Sequence, residues 1–451
     1  MEPDAWYLAL TPTLMLDIIR SSDTKGISRL LGARSTTLTE AEGVVRPILE
    51  DVRRRGDRAL IRYAKKFDRL DLRKSGFTVS REEIRGAYRD VPHGFRAAVR
   101  EAAANIRMAA RRQLPRPWTC ITRAGVSVGQ IIRPLERVAC YVPGGRFPLP
   151  STVLMSVIPA QVAGVRDVIV TSPRPAPAVL VAADLLGVRN IYRLGGAQAI
   201  AGFAFGTESV PRVDKIVGPG NRYVAAAKKL VAGECGIDFI AGPSELVLVG
   251  GRGNAEWIAA DLVAQAEHDP VAVAIFITPS LPLALRVQAA ARGIVERLDL
   301  PLAGQALSSQ GAIIVTRNMA EAGELVNRLA PEHLTLFEGA TTLLRRIQSA
   351  GSIFLGAYSP VAAGDYASGT NHILPTSGAA RLRGGLSAAD FVKSISVQRL
   401  DRRGLAGLAK TLVTLAGTEG LKAHAYSVKT RFHSRSSIEP ESARQERTAK
   451  R

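Results

Sequence analysis

The rhythm of hydrophobic and polar positions changes twice along this chain. Within residues 39–66, Val44, Val45, Ile48, Leu49, Val52, Leu60, Ile61 and Tyr63 recur near spacings of three and four. That period predicts helix. A second helical stretch is expected over 81–112. At Val126 the texture shifts to short apolar runs, ended by Pro143-Gly144-Gly145. Strands are then expected at 168–171, 190–194 and 213–217, with helices at 178–186 and 197–205 between them. A second alternating section follows. Its strands are expected at 246–249, 271–278, 312–315, 334–337 and 352–355, its helices at 255–268, 282–297 and 319–329. A helix through 420–429 closes the pattern.

Strands that alternate with helices in this way form βαβ units and parallel sheets, so the fold class is α/β. Ligands of such sheets bind beyond the carboxyl ends of the strands. Glycine turns follow two expected strands, at Gly195-Gly196 and at Gly218-Pro219-Gly220. No GxGxxG opens a helix, and no acidic residue stands at the distance that would hold a ribose. On spacing alone this section reads either as a nucleotide-binding sheet or as a plain structural α/β domain.

The 451 residues suffice for two or three domains, and 46% hydrophobic with 22% charged residues is ordinary globular composition. The three cysteines, Cys120, Cys140 and Cys235, form no CxxC pair. A reducing compartment is expected, without a disulfide framework or thiolate zinc site. The start, MEPDAWYLAL, carries acids where a secretory signal needs bases. The uncharged run 147–165 is interrupted by Pro148, Pro150, Pro159 and Gln161, so no membrane span is expected. These features together predict a cytoplasmic protein. A net charge of +20 raises nucleic acid as a partner. The basic residues are instead spread over amphipathic helices and the end of the chain, without interleaved aromatics or a binding motif. A solvated basic surface is the expectation, with no nucleic-acid partner. From about 431 onward apolar residues nearly vanish, and a disordered basic tail is expected.

Candidate chemistry gathers in a few places. The stretch 364–381, GDYASGTNHILPTSGAAR, places Asp365, Tyr366 and His372 among Gly364, Gly369, Asn371 and Pro375. It reads as a loop, either a polar surface loop or a ligand-binding one. Gln265 and His268 lie one helical turn apart, just before Asp269-Pro270 ends the helix. Glu332-His333 and the pair Glu419 and His424 complete the set, while His93 and His433 stand without catalytic company. Divalent transition metals take imidazole nitrogen and carboxylate oxygen, which makes His268, Asp365 and His424 natural ligands. They come from three distant segments, and each also reads as a capped helix end or a hydrogen-bonded loop residue. Gln265 would be an unusual ligand. Glu332-His333 is either an acid/base pair tuned by its carboxylate or a plain polar pair before a strand.

Taken together, the segments resemble the histidinol dehydrogenase family over roughly 41–431. The motifs are YVPGG (141–145), LGGAQAIAGFAFGTESVPRVDKIVGPGN (194–221), AGPSE (241–245), DLVAQAEHDP (261–270), LAPEHL (329–334), GDYASGTNHILPTSG (364–378) and EGLKAH (419–424). Seven motifs in order are far more specific than any one. The resemblance implies oxidation of L-histidinol to L-histidine through the aldehyde with two NAD, the last step of histidine biosynthesis. It implies zinc held by Gln265, His268, Asp365 and His424, and His333 and Glu332 as the proton-transferring pair. Ser244, Gln265, His268, His333, Asp365, His372, Glu419 and His424 would contact substrate; Tyr141, Gln198 and Asn221 would line the NAD site.

The implied architecture is two incomplete Rossmann-like parallel-sheet domains in an intertwined homodimer with shared active sites. A lead-in (1–34) is followed by a first domain (35–140 plus 246–385) carrying zinc and the acid/base pair. A second domain (141–245) lies on the NAD side, then a dimerisation segment (386–430) and the tail (431–451). His424 would reach the neighbouring subunit's site.

Two departures stand out. Pro360-Val361 replaces the Pro-Glu of many members. Gly145-Arg146-Phe147-Pro148 is similar to relatives that oxidise other small alcohols, such as sulfopropanediol dehydrogenases, whereas Ser244 and Asn371-His372 are histidinol-type choices. A zinc hydrolase in which Glu332 and the metal activate water is the rival reaction class.

Overall fold

The computed structural model describes residues 15–33, 38–145 and 147–432. Much of the expected lead-in and tail, together with Arg146 and His433, lies outside those residues. The strands, in chain order, are β1 (Asp17–Arg20), β2 (Trp118–Arg123), β3 (Val126–Pro134), β4 (Arg137–Tyr141), β5 (Asp167–Thr171), β6 (Asn190–Tyr192) and β7 (Lys215–Val217). They continue with β8 (Gly236–Ile237), β9 (Glu245–Val249), β10 (Val273–Thr278), β11 (Gly311–Val315), β12 (His333–Leu336), β13 (Ser352–Leu355) and β14 (Val392–Leu400).

Two parallel sheets dominate the larger compact unit. One runs β6-β5-β4-β7-β8, the other β1-β11-β10-β9-β12-β13. All their recorded pairings are parallel. In the five-stranded sheet alternate residues serve opposite cores. Ala139, Ile169 and Ile216 pack under the helices Thr39–Arg55, Asp57–Phe67, Gly196–Phe205 and Arg222–Val231. Val138, Cys140, Val170 and Val217 pack under Phe95–Gln113, Pro150–Ala163 and Pro177–Leu185. The period-2 alternation of a strand requires this split. The helical section 39–113 thus shares its cores with the five-stranded sheet. The six-stranded sheet is covered likewise by Ala255–Ala266, Leu281–Arg297 and Pro301–Ser309 on one face and Met319–Leu329 on the other.

Several expected elements are divided or reassigned. The helix expected over 39–66 breaks at Gly56, whose φ of 49° reverses the chain between Arg55 and Asp57. The one expected over 81–112 splits into Arg81–Ala87 and Phe95–Gln113 around Pro92 and Gly94. Proline removes an amide donor and crowds the preceding turn. The expected loop from Gly364 begins inside a short helix, Val361–Tyr366. Within the expected lead-in, β1 adds an edge strand to β11, with Asp17 opposite Ala312. The uncharged run becomes a 14-residue helix, Pro150–Ala163, started by proline at its first position. Among the described residues no helix is long and apolar enough to cross a membrane.

A smaller unit comprises 115–133 and the chain from 393 on. Its sheet runs β14-β3-β2, with β2 and β3 antiparallel. Asp401 caps the helix Arg402–Thr418 by accepting from the Gly404 amide at 2.7 Å. Helix Lys422–Lys429 follows. This unit keeps large apolar side chains in solvent, including Trp118, Ile121, Leu415 and Tyr426.

The larger unit's packing carries a direct cost test. Phe276, in the middle of β10, is fully buried. Phe276→Ala should lower unfolding free energy by about 3–5 kcal/mol, read from the midpoint of a urea titration.

Candidate active site

The parallel register of β9 and β12 sets His333 opposite Leu246. Ser244 and Glu245 therefore lie beside Glu332. The buried Glu332 carboxylate accepts from the Glu245 amide at 2.7 Å and from the Ser244 hydroxyl at 2.9 Å. Gln265 Nε2 donates to the same hydroxyl at 2.7 Å. Glu332 thus has satisfied bonds on Oε2, as a buried carboxylate requires.

His333 is buried too. Its Nδ1 lies 3.1 Å from the Glu245 carbonyl, which can only accept, so Nδ1 carries the proton. The lone pair of the neutral ring is then on Nε2. That atom is buried without a hydrogen-bond partner among the described residues, 3.4 Å from Asp365 Oδ1. Burial opposes a charged ring, yet the Glu332 and Asp365 carboxylates outweigh it and push the His333 pKa up to about 10. In this state the ring holds a proton at neutral pH, so Nε2 serves as a base only after that proton has left. Burial likewise opposes charge on Asp365, but its contact with His333 and the nearby His372 and His268 keep its pKa below the usual range. Burial lowers the pKa of His372. Its Nδ1 donates to the Asp365 carbonyl at 2.9 Å, and Thr152 stands 3.5 Å from Nε2.

Ser244, Gln265, His268, Glu332, His333, Asp365 and His372 all line one cavity of about 200 Å³. Gln265 is on the last turn of Ala255–Ala266, and His268 lies just past its cap, Glu267. From the stretch 364–381, Asp365, Tyr366, His372, Ile373, Leu374 and Thr376 line this cavity. Imidazole, carboxylate and amide donors from His268, Asp365 and Gln265 suit a borderline cation such as zinc. Gln265 uses its Nε2 toward Ser244, which leaves the amide oxygen as the donor atom. Among the described residues no group of three or more His, Cys, Asp and Glu is arranged to hold a metal ion. This face supplies two of that kind plus an amide. Glu419 and His424 belong to the smaller unit, Glu419 as the cap of Arg402–Thr418 and His424 on Lys422–Lys429, both exposed there.

Tyr141, Gln198 and Asn221 line a second cavity, of about 440 Å³. Tyr141 ends β4, and its hydroxyl accepts from the Gly196 amide at 3.1 Å. Asn221 caps Arg222–Val231, accepting from the Tyr223 and Val224 amides. Packing against Pro173 requires glycine in the turns here. A Cβ on Gly144 or on Gly195 would lie 2.6 Å from the Pro173 ring. Such turns suit a pyrophosphate near helix amino termini. Reasoning from sequence missed Phe67 and Asp68 in this cavity, and Thr152, Phe239 and Thr376 in the first. Burial raises the Asp68 pKa, partly offset by Gln198, whose Nε2 donates to it at 3.0 Å. Thr376 lies within the quoted motif 364–378 without being singled out there; no local motif marks the other four, and only the folded chain brings them in.

The pair Glu332 and His333 thus lines one cavity with the donors Gln265, His268 and Asp365, and glycine turns line another. Residues 32–432 match the family model described as histidinol dehydrogenase. Histidinol dehydrogenase of Methanothermobacter thermautotrophicus is 46% identical over 427 residues, covering 93% of this chain and all of its own length. That of Syntrophotalea carbinolica is 47% identical over 408 residues, covering 89% and 95%. The crystal structure of histidinol dehydrogenase from Elizabethkingia anophelis superposes with a TM-score of 0.87 at 36% identity, over 92% of this chain and 98% of that one. With matches of this length in sequence and in fold, the chain belongs to the histidinol dehydrogenase family.

Proposed function

We propose that this protein oxidises L-histidinol to L-histidine through L-histidinaldehyde, with two NAD as hydride acceptors, at the end of histidine biosynthesis. The observation that carries the reading is the His333 ring, which lines the first cavity, with Nδ1 held by the Glu245 carbonyl and Nε2 without a hydrogen-bond partner among the described residues.

Each of the two oxidations removes a hydride from carbon and a proton from oxygen. His333 Nε2 takes the alcohol proton in the first, and Glu332 and Asp365 stabilise the imidazolium that results. Glu332 takes a proton from the water that adds to the aldehyde. Its Oε1 is the free atom for this, since Oε2 is engaged by Ser244 and Glu245. As the water adds, His333 returns its proton to the aldehyde oxygen, and the neutral ring then takes a proton of the hydrate as the second hydride leaves. Ser244, His372 and Glu419 hold the substrate's polar groups. Zinc on Gln265, His268, Asp365 and His424 of the partner subunit would supply a fixed positive charge that binds the substrate's imidazole and amine. NAD against Tyr141, Gln198 and Asn221 would supply the hydride acceptor.

Exposure of His424 and Glu419, with the apolar side chains of the smaller unit in solvent, supports an intertwined homodimer with shared sites. Residues 141–245 are proposed as the NAD side, with the helices of 39–113 and β4 packed into the same sheet and cores. The free thiols Cys120, Cys140 and Cys235 suit the cytoplasm.

Purified protein should produce two NADH for each L-histidinol consumed, and a chelator should abolish turnover. One NADH with released aldehyde would refute the four-electron reaction, and NAD-independent ester cleavage would point to a hydrolase. His333→Asn should lower the rate of NADH formation by about two to four orders of magnitude, the usual worth of a general base. Its metal content, measured by atomic absorption, should stay at the wild-type level; loss of metal would reassign His333 as a ligand.

A further inference from the structure

One fully buried ion pair lies outside the machinery described so far. Lys228, on Arg222–Val231, is 2% exposed, and Asp238, just after β8, is 4% exposed. Their side chains pair directly. Burying two charges is costly, and well-packed apolar replacements often do as well for stability. The pair therefore invites a reason beyond stability.

What the two side chains hold is one peptide turn. Lys228 Nζ donates to the Gly218 carbonyl at 3.0 Å, and Asp238 Oδ2 accepts from the Gly218 amide at 2.7 Å. Gly218 has φ of 119°, and a Cβ there would lie 2.1 Å from the Tyr141 carbonyl. The turn is thus pressed against the end of β4 while gripped at both polar atoms of one residue. Downstream, Pro219 and Gly220 face the substrate cavity, and Asn221 faces the glycine-lined one. Asp238 Oδ1 also accepts from the Phe239 amide at 2.7 Å. The Phe239 ring lines the substrate cavity, with Lys228 Nζ 5.9 Å and the Arg383 guanidinium 5.3 Å from its centre. Arg383 in turn donates to the Asp238 carbonyl and to Asp390.

We propose that Lys228 and Asp238 are positioning residues, whose pairing fixes 218–221 as the common wall of the two cavities and so sets the distance between bound NAD and substrate. This rests on the functional reading above. Neither side chain touches a reacting atom. They act through the turn and through Phe239.

The test uses full-length protein and three variants' worth of comparison: wild type, Lys228→Met/Asp238→Leu and Lys228→Met/Asp238→Asn. The leucine double variant removes charge and both grips. The asparagine one keeps an acceptor for the Gly218 amide. Three readouts are taken: steady-state kinetics with L-histidinol and NAD, the NAD dissociation constant by calorimetry, and hydrogen exchange of the peptide spanning 218–221, with thermal melting as the folding control. The leucine variant should melt near wild type yet lose about tenfold or more in kcat, bind NAD several-fold more weakly, and exchange faster at 218–221. The asparagine variant should recover part of all three. Wild-type kcat, NAD affinity and exchange in a folded leucine variant would overturn the proposal. If that variant does not fold, the asparagine variant decides, and wild-type values in it overturn the proposal equally. A wild-type enzyme that makes no NADH from L-histidinol sinks the functional reading instead, and the calorimetric and exchange readouts still judge the clamp.

Discussion

The pairing of β9 with β12 is the constraint on which the site depends. One residue, Glu245, meets both members of the proposed acid/base pair: its amide donates to Glu332 and its carbonyl accepts from His333 Nδ1. The two side chains are oriented by backbone that is already fixed in a sheet. Backbone so held cannot drift, so the ring tautomer and the free carboxylate oxygen are settled before any ligand arrives. Gly351 tightens the same point from the other side, because a Cβ there would lie 2.5 Å from the Glu332 carbonyl.

Around this pair the two sheets divide the work. The six-stranded sheet presents Ser244, Glu332 and His333 from strand ends, and its helix Ala255–Ala266 brings Gln265 to the same cavity. The five-stranded sheet presents glycine turns and two helix starts, that of Gly196–Phe205 without a side-chain cap and that of Arg222–Val231 capped by Asn221, which suit a phosphate-bearing ligand. The segment 371–376 links them. Asn371 Nδ2 donates to the Met155 carbonyl, on a helix of the five-stranded sheet, and Thr376 accepts from the Gly242 amide just before β9. His372 is carried by that link and donates to the Asp365 carbonyl, at the end of the helix Val361–Tyr366.

Periodicity made the α/β alternation legible, because fully buried parallel strands such as β5 and β10 read as short apolar runs between helical ones. The spacing of Gln265 and His268 suggested a shared helix face, but the helix expected over 255–268 ends at Ala266 and carries only Gln265. Other features were hidden for identifiable reasons. The period within 39–66 runs on through Gly56, and only its left-handed backbone shows that the helix divides there. β1 pairs with β11 almost three hundred residues away, beyond any local pattern. The helix Pro150–Ala163 is buried on nearly every side, so it has no polar face to betray a period. Among site residues, the joint placement of His268, Asp365 and Glu332 came through motif resemblance, since no spacing rule connects segments so far apart. Asp68 and Lys228 carried no motif and escaped notice altogether.

The bonds that build the first cavity span long stretches of chain: 88 residues between Ser244 and Glu332, and 220 between Thr152 and His372. Neither sheet alone owns a working centre. During synthesis the ribosome must release nearly the whole polypeptide before these partners can meet, and any partly folded form that keeps one sheet and loosens the other holds regular structure without chemistry. Catalytic competence is in this sense the last property the chain acquires and the first it forfeits.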